Sequence, residues 1–457
     1  MILAADIGST WLKAAVFAPD GQRFPTAETV LKYRLRSAEQ AEIDPLDLRR
    51  SFLDLIDQAL RLAGCSRGDL KRVSITSQAQ TFFLCDADDT PLTPMFSWTD
   101  ARATAEADDL QGQLGSTFHQ HTGFPEISPL STLAKVRWLA SHGDVDSEAR
   151  IVQISSWLAM SLGAPHTTDT NLAAMSGLFS IPENKWWGAA FDTLDLTIQQ
   201  AGAAVEPGVP LTTSTGRRPP GFSPDLEVIL AANDHTAGAI ACGCIPGSPV
   251  LTLGTAGVIY RHAGEKDGPF SPGGIWGPFP GHGYYELLFL PHACSALDWA
   301  DKFLFGAVDS ARFVETALAD GIPQDAPFFH PSRWGSKDAW SSPATPAAMA
   351  YATLEGIAFA MHDLGGSTLV TDEGAITVLG GGGRLDAWVQ LTAEAFGKTF
   401  IRSSRDGIDG AAILAGVPLD PAAEPAVTFL PDPARCELLK ERFHRWQTTF
   451  TPTTAYV

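Results

Sequence analysis

The sequence predicts an α/β protein made of two mixed-sheet domains with a cleft between them. Three observations carry this. A strand, a small polar turn and a second strand occur in succession twice, about half a chain apart. Strands alternate with helical stretches on either side of the midpoint. Between the halves, residues 205–226 are rich in Pro, Gly, Ser and Thr and read as a linker, which puts the expected domains at 1–226 and 227–457. A chain of 457 residues also exceeds what one hydrophobic core normally serves.

The first hairpin runs from Ile2 to Phe17 around Asp6-Ile7-Gly8-Ser9-Thr10, and the second from Val250 to Tyr260 around Leu253-Gly254-Thr255-Ala256-Gly257. Such turns expose backbone N–H groups and a hydroxyl with no bulky side chain in front of them. One copy alone suits an ordinary hairpin. A pair suits a polyphosphate, and so ATP. Asp6 at the strand end fits a Mg²⁺ ion held through water, and Lys13 on the return strand fits a phosphate.

A helix follows over 45–63, where Leu48, Phe52, Leu55, Ile56 and Leu60 recur at helical spacing. Strands are expected at Val73–Ser77 and Phe82–Asp86, a turn at Asp88-Asp89-Thr90-Pro91, and helices over Leu130–His142 and Ile151–Leu162. Beyond the linker, the strand from Val228 ends at Asn233-Asp234-His235 and leads into a helix of small residues. Asp234 at that junction suits either a helix N-cap or a base for a hydroxyl nucleophile. A strand at Ile376–Leu379 precedes Gly380-Gly381-Gly382-Gly383-Arg384, then a helix over Ala387–Phe396. The glycine run fits neither the dinucleotide fingerprint nor a Walker loop; it is a tight turn or a bare backbone surface for a purine. Gln78, Gln80, Trp98, Asp100 and Arg102 form two polar clusters near strand ends, suited to a polyhydroxylated ligand or to an ordinary loop with an Asp100–Arg102 contact. His119-x-His121 has no third ligand at useful spacing.

Composition narrows the partners. The 52 acidic and 32 basic residues give a net charge of −20, which disfavours nucleic acid and anionic membranes. No apolar run approaches the roughly 20 residues of a membrane helix, and no signal peptide is visible. Six scattered cysteines without a CxxC pair suit reduced thiols and a cytoplasmic protein.

Taken in order, these motifs resemble the FGGY family of carbohydrate kinases, within the sugar kinase, actin and Hsp70 superfamily. Trp98-x-Asp100-x-Arg102, Lys135-Val136-Arg137-Trp138 and Leu354-Glu355-Gly356-Ile357-Ala358 are further family-like stretches. The resemblance implies two ribonuclease-H-like (actin-like ATPase) domains, each with a five-stranded mixed sheet, flanking a central cleft. Sugar would lie against the first domain and ATP mostly on the second. Asp234 would be the catalytic base and also touch the sugar. Gly8, Ser9, Thr10, Lys13, Gly254 and Thr255 would serve the phosphates, and Gly381, Gly382 and Arg384 the adenosine. Mg²⁺ would bridge the phosphates, with Asp6 acting through water. Gln78, Gln80, Trp98, Asp100 and Arg102 are the expected sugar contacts, and a homodimer is a family-level expectation.

The implied reaction is ATP-dependent phosphorylation of a primary hydroxyl of a ketose, polyol or aldonate. The alternative is an ATPase switch or sugar sensor of the same superfamily. Several positions depart from the pattern. Ala79-Gln80 replaces the Arg-Glu pair of glycerol kinases, Leu130 stands where they carry tyrosine, and Ala79-Gln80-Thr81 replaces the Met-His-Gly of xylulose kinases. Leu385 and Asp409 also differ from the usual residues.

Overall fold

The computed structural model describes residues 1–450 except 38, 144–147, 215, 266–269, 272, 320, 324, 372–373 and 421–425. The chain forms two compact units. The first comprises Met1–Gly243, Ile275–Tyr284 and Arg405–Pro421, and the second Cys244–Gly274, Tyr285–Ser404 and Ala422–Val457. Division at 226/227 is therefore corrected: the strand Glu227–Asn233 pairs in parallel with Arg72–Ser77 inside the first unit. The expected linker is not one either. Its Pro210–Thr212 segment pairs antiparallel with Glu227–Ile229 as the edge strand of the same sheet, where proline's missing donor does no harm.

The main sheet of the first unit has the order 210–212, 227–233, 72–77, 2–7, 11–17, 27–30. Strand Ile2–Ile7 is antiparallel to Trp11–Phe17 and parallel to Arg72–Ser77. It thus consists of the five expected strands plus a short edge. The second sheet has seven strands rather than the expected five, and its centre repeats the arrangement. Val250–Leu253 is antiparallel to Gly257–Gly264 and parallel to Ile376–Leu379, which is parallel to Phe400–Arg402. Both hairpins are thus borne out, and each sits beside the central parallel strand of its own sheet.

Local chemistry explains the elements. Helix Pro45–Ala63 starts with Asp44 accepting from Leu46 N and Asp47 N, carries proline in its first turn and ends at Gly64 in the left-handed region. It buries Leu48, Phe52, Leu55, Ile56 and Leu60. The stretch 151–162 differs from expectation: Arg150–Gln153 is a strand paired with Phe82–Cys85, and the helix is Ile154–Ser161. Ile151 and Val152 are β-branched and buried on both faces, a pattern that helix periodicity cannot separate from a strand.

One packing contact organises the first unit. Helix Gly407–Leu414, from late in the chain, lies against helix Asp234–Ala241, and a Cβ on Gly410 would fall 1.8 Å from the Ala237 carbonyl oxygen. Arg23 ties this helix to the first hairpin: its guanidinium donates to Asp406, Asp409 and Thr26. Asp409, a departure from the family pattern, is buried with this partner at 2.7 Å. Arg23→Gln would leave the Asp406 and Asp409 carboxylates facing each other. It is expected to lower the melting temperature by about 5 °C, with Asp409→Asn in the same chain recovering at least half of the loss. Scanning calorimetry of the three variants checks this; additive losses would refute the pairing.

Candidate functional site

Asp6 is the last polar residue of strand Ile2–Ile7, directly opposite Lys13 on the return strand. Its Oδ1 is buried without a hydrogen-bond partner. Burial first, then the nearby Asp234 and Asp406 carboxylates, push its pKa up to about 7, against the pull of Lys13. Gly407 comes close on the same side, and a Cβ there would be 3.2 Å from Asp6 Oδ2. Asp6 and Asp234, from opposite ends of the first half, are thus brought together with Asp406, which sequence reasoning missed. Its signal was weak: a carboxylate before a glycine and a small-residue helix, which reads only as an N-cap.

Asp234 is not the cap of its helix. Asn233 is: its Oδ1 accepts from Thr236 N at 2.7 Å, which leaves the Asp234 carboxylate half-buried, accepting the His235 N–H. In the first turn, Gly8 N donates to the Trp11 carbonyl and Tyr33 Oη to the Ser9 carbonyl, while Thr10 is exposed at the tip.

The polar clusters divide into two kinds. Gln78 is 3 % exposed, and neither its Oε1 nor its Nε2 has a partner. Gln80 Oε1 is also buried without one, and the Gln80 backbone sits at φ 55°. Unpaired buried amide groups are costly. Trp98 is half-buried beside them, its backbone N–H donated to Thr81 Oγ1. Asp100 and Arg102 are different. Asp100 is fully buried, and its oxygens accept from Arg102 Nε, Arg102 Nη2 and Ala41 N. Arg102 also reaches Glu42 at 2.8 Å and lies over the Phe96 and Trp138 rings. These two thus form the Asp100–Arg102 contact that was the alternative expectation, with most of their polar atoms engaged inside the protein. Lys135 is likewise occupied, donating to the Gln80 and Ser97 carbonyls. Burial lowers its pKa to about 7.

The second unit has its own constellation. Gly254 N donates to the Ala256 carbonyl, and the Gly254 and Thr255 carbonyls receive the first N–H groups of helix Cys294–Phe305. Thr255 is exposed. In the glycine run, a Cβ on Gly380 would fall 2.4 Å from the Leu253 oxygen and one on Gly382 2.6 Å from the Trp388 ring, whereas nothing lies within 4 Å of one on Gly381. Gly380 and Gly382 are therefore required by packing, and Gly381 presents bare backbone. Arg384 is exposed, and Leu385 packs against the apolar core of this unit. His119 and His121 bond to the Phe124 carbonyl and Ser180 Oγ, and no cluster of three metal-ligating side chains occurs among the described residues. Nor is any helix among them long and apolar enough to cross a membrane.

Residues 1–241 match the N-terminal domain of the FGGY family of carbohydrate kinases. Over 455 residues the chain is 27% identical to a glycerol kinase of Leptothrix cholodnii, covering 91% of this chain and 90% of that protein. It is 25% identical to a xylulose kinase of Streptomyces rubiginosus, covering 80% and 77%. Among solved structures, a ligand-bound xylulose kinase from Lactobacillus acidophilus superimposes with a TM-score of 0.86 at 21% identity, over 98% of this chain and 97% of the other. A gluconate kinase from the same organism gives a TM-score of 0.86 at 20% identity, over 98% and 96%. The chain belongs to the FGGY family of carbohydrate kinases.

Proposed function

We propose that this kinase transfers the γ-phosphoryl group of ATP to a primary hydroxyl of a neutral ketose or polyol, with Asp234 as the base. The observation that carries the acceptor class is Gln78, a buried amide whose donor and acceptor are both unmatched. An amide of this kind is satisfied by two hydroxyls, each both donor and acceptor. An aldonate carboxylate would want a cation, and the nearby Arg102 and Lys135 are already engaged. The curated relatives are named for glycerol and xylulose, yet Ala79-Gln80 departs here from the glycerol kinase pattern and Ala79-Gln80-Thr81 from the xylulose kinase pattern, which argues for a different neutral acceptor.

In this reading Asp234 orients the acceptor hydroxyl and takes its proton as the oxygen bonds to the γ-phosphorus. The Gly8–Thr10 and Gly254-Thr255 turns give backbone N–H groups and hydroxyls to the phosphates, with Lys13 as a point charge. Gly381 lets a purine rest on the backbone, Gly382 keeps that turn tight, and exposed Arg384 borders it. Asp6 suits a divalent cation: its orphaned Oδ1 and raised pKa are what positive charge would relieve. Mg²⁺ carried in with ATP would neutralise phosphate charge there, with Asp6 reaching it through water.

Three outcomes follow. In an ADP-release assay against neutral ketoses, polyols and aldonates, a neutral acceptor is expected to stimulate turnover, and Asp234→Asn to lower kcat by about 10³-fold. Acceptor-independent turnover that survives the substitution would establish a switch instead. Gln78→Leu is expected to raise the acceptor KM about 10-fold or more without lowering the melting temperature, since it removes an unpaired buried amide. A melting loss with an unchanged KM would make Gln78 structural. The fold favours protonated Asp6, so its contribution to stability is full below about pH 4 and lost as pH rises through about 7. Asp6→Asn should therefore match wild type near pH 4 and melt about 3–6 °C higher at pH 8 without ligand. A pH-independent difference in calorimetry would contradict this.

A further inference from the structure

Among the described residues, five non-glycine positions have positive φ: Gln80, Asp89, Asn184, Asp195 and Ala232. Three are Asp or Asn, which tolerate this conformation because their short side chains bond locally. Gln80 and Ala232 have no such excuse, and both lie within two residues of a candidate site group. Ala232 is the more unusual: it is fully buried, inside a strand, at φ 61° and two residues before Asp234. Strain held this way survives only where surroundings over-determine it, and it concentrates at functional sites.

The pairing register shows what the strain accomplishes. Leu230 is opposite Ile75, but Asn233 is opposite Ser77. Three steps on one strand thus match two on its parallel neighbour, so one extra residue is inserted before the strand ends. Side chains alternate faces with a period of two, and one added residue therefore inverts the face on which everything after it falls. Without the bulge, the Asn233–Asp234 junction would leave the strand on the opposite face of the sheet.

Three groups hold the bulge. Thr76 Oγ1 donates to the Ala232 carbonyl at 2.9 Å from within the neighbouring strand. Asn171 Oδ1 accepts the Asn233 N–H at 3.1 Å, and its Nδ2 donates to Thr236 Oγ1 and to the Pro278 carbonyl. Asn233 Nδ2 in turn donates to Met175 Sδ. Asn171 itself is carried by the short helix Thr170–Ala174, whose first turn is capped by the fully buried Asp169 through Leu172 N. All of these groups belong to the first unit.

We infer that the left-handed Ala232 bulge, braced by Thr76 and Asn171, is a positioning device that aims the Asp234 carboxylate. It touches no substrate; it acts through Asp234, and so rests on the proposed role of that residue as base. The chemistry depends on reach. A carboxylate displaced by about 1 Å loses on the order of 100-fold in rate while substrates still bind.

Two independent changes test it in the full-length protein, using whichever acceptor stimulates wild type. Ala232→Gly lifts the steric penalty at φ 61° and frees the backbone to sample other conformations. It is expected to melt within about 2 °C of wild type, yet lose about 10- to 100-fold in kcat, with KM for acceptor and ATP within about twofold. Thr76→Val removes the hydroxyl that holds the Ala232 carbonyl and should show the same split between kcat and KM, while Thr76→Ser should recover to within about threefold. If Thr76→Val fails to fold, Ala232→Gly carries the test alone. A wild-type kcat in Ala232→Gly, or a loss in Thr76→Val confined to melting temperature, would overturn the inference and leave Asp234 as base untouched. Absence of any acceptor-dependent turnover in wild type would instead overturn the functional reading, and this inference with it.

Discussion

Everything in the first unit's acidic centre depends on two backbones coming closer than side chains normally permit. Helix Gly407–Leu414 approaches helix Asp234–Ala241 so tightly that the Ala237 carbonyl occupies the place of a Gly410 side chain, and Gly407 lies close to Asp6, where a Cβ would be only 3.2 Å from its Oδ2. That contact brings Asp6, Asp234 and Asp406 into one electrostatic neighbourhood, where mutual repulsion would drive them apart. Arg23 offsets part of the repulsion on the outer side through Asp406 and Asp409. Nothing equivalent reaches Asp6 Oδ1. The asymmetry leaves one carboxylate paired within the protein and another with an oxygen that has no internal partner.

Several of the places where the fold breaks local rules fall at the groups proposed for chemistry. Gln78 keeps a buried amide unpaired, Asp6 a buried oxygen, and Ala232 a backbone angle that glycine would tolerate better. Many buried polar groups elsewhere are matched: in the second unit Arg442 and Glu355, both almost wholly buried, form a two-pronged pair, and Trp446 Nε1 donates to the Phe329 carbonyl, although buried atoms such as Ser155 Oγ and Gln153 Oε1 also stand without a partner. Local conflict supported by consistent surroundings is what a binding site looks like before its ligand arrives.

Much of this was legible in the sequence. The hairpins, the capped helix Pro45–Ala63, the strand ending at Asp234 and the small-residue helix after it are set by short-range chemistry, and they emerged where expected. What escaped depended on contacts between distant segments. A proline-rich stretch has the same composition whether it links domains or edges a sheet, so 205–226 misled the domain boundary. Asp100 and Arg102 were visible as polar residues near a strand end, but only the fold shows that Glu42 and the Ala41 N–H had already claimed them. Asp406 joins Asp6 across four hundred residues, and the bulge at Ala232 leaves no mark in a run of apolar residues.

The segment Arg405–Pro421 also bears on how the molecule is made. It belongs to the first unit, although most of the second precedes it in the chain. A ribosome delivers residues in order, and domains ordinarily fold as they emerge. Here the strands of the first sheet are complete once Asn233 has appeared, but the groove beside Ala237 stays open until Gly410 arrives. A growing chain therefore carries both Asp6 and Asp234 from residue 234 until residue 407 without the helix that presses them together. The acidic centre is assembled late, so a product truncated anywhere before residue 405 lacks it.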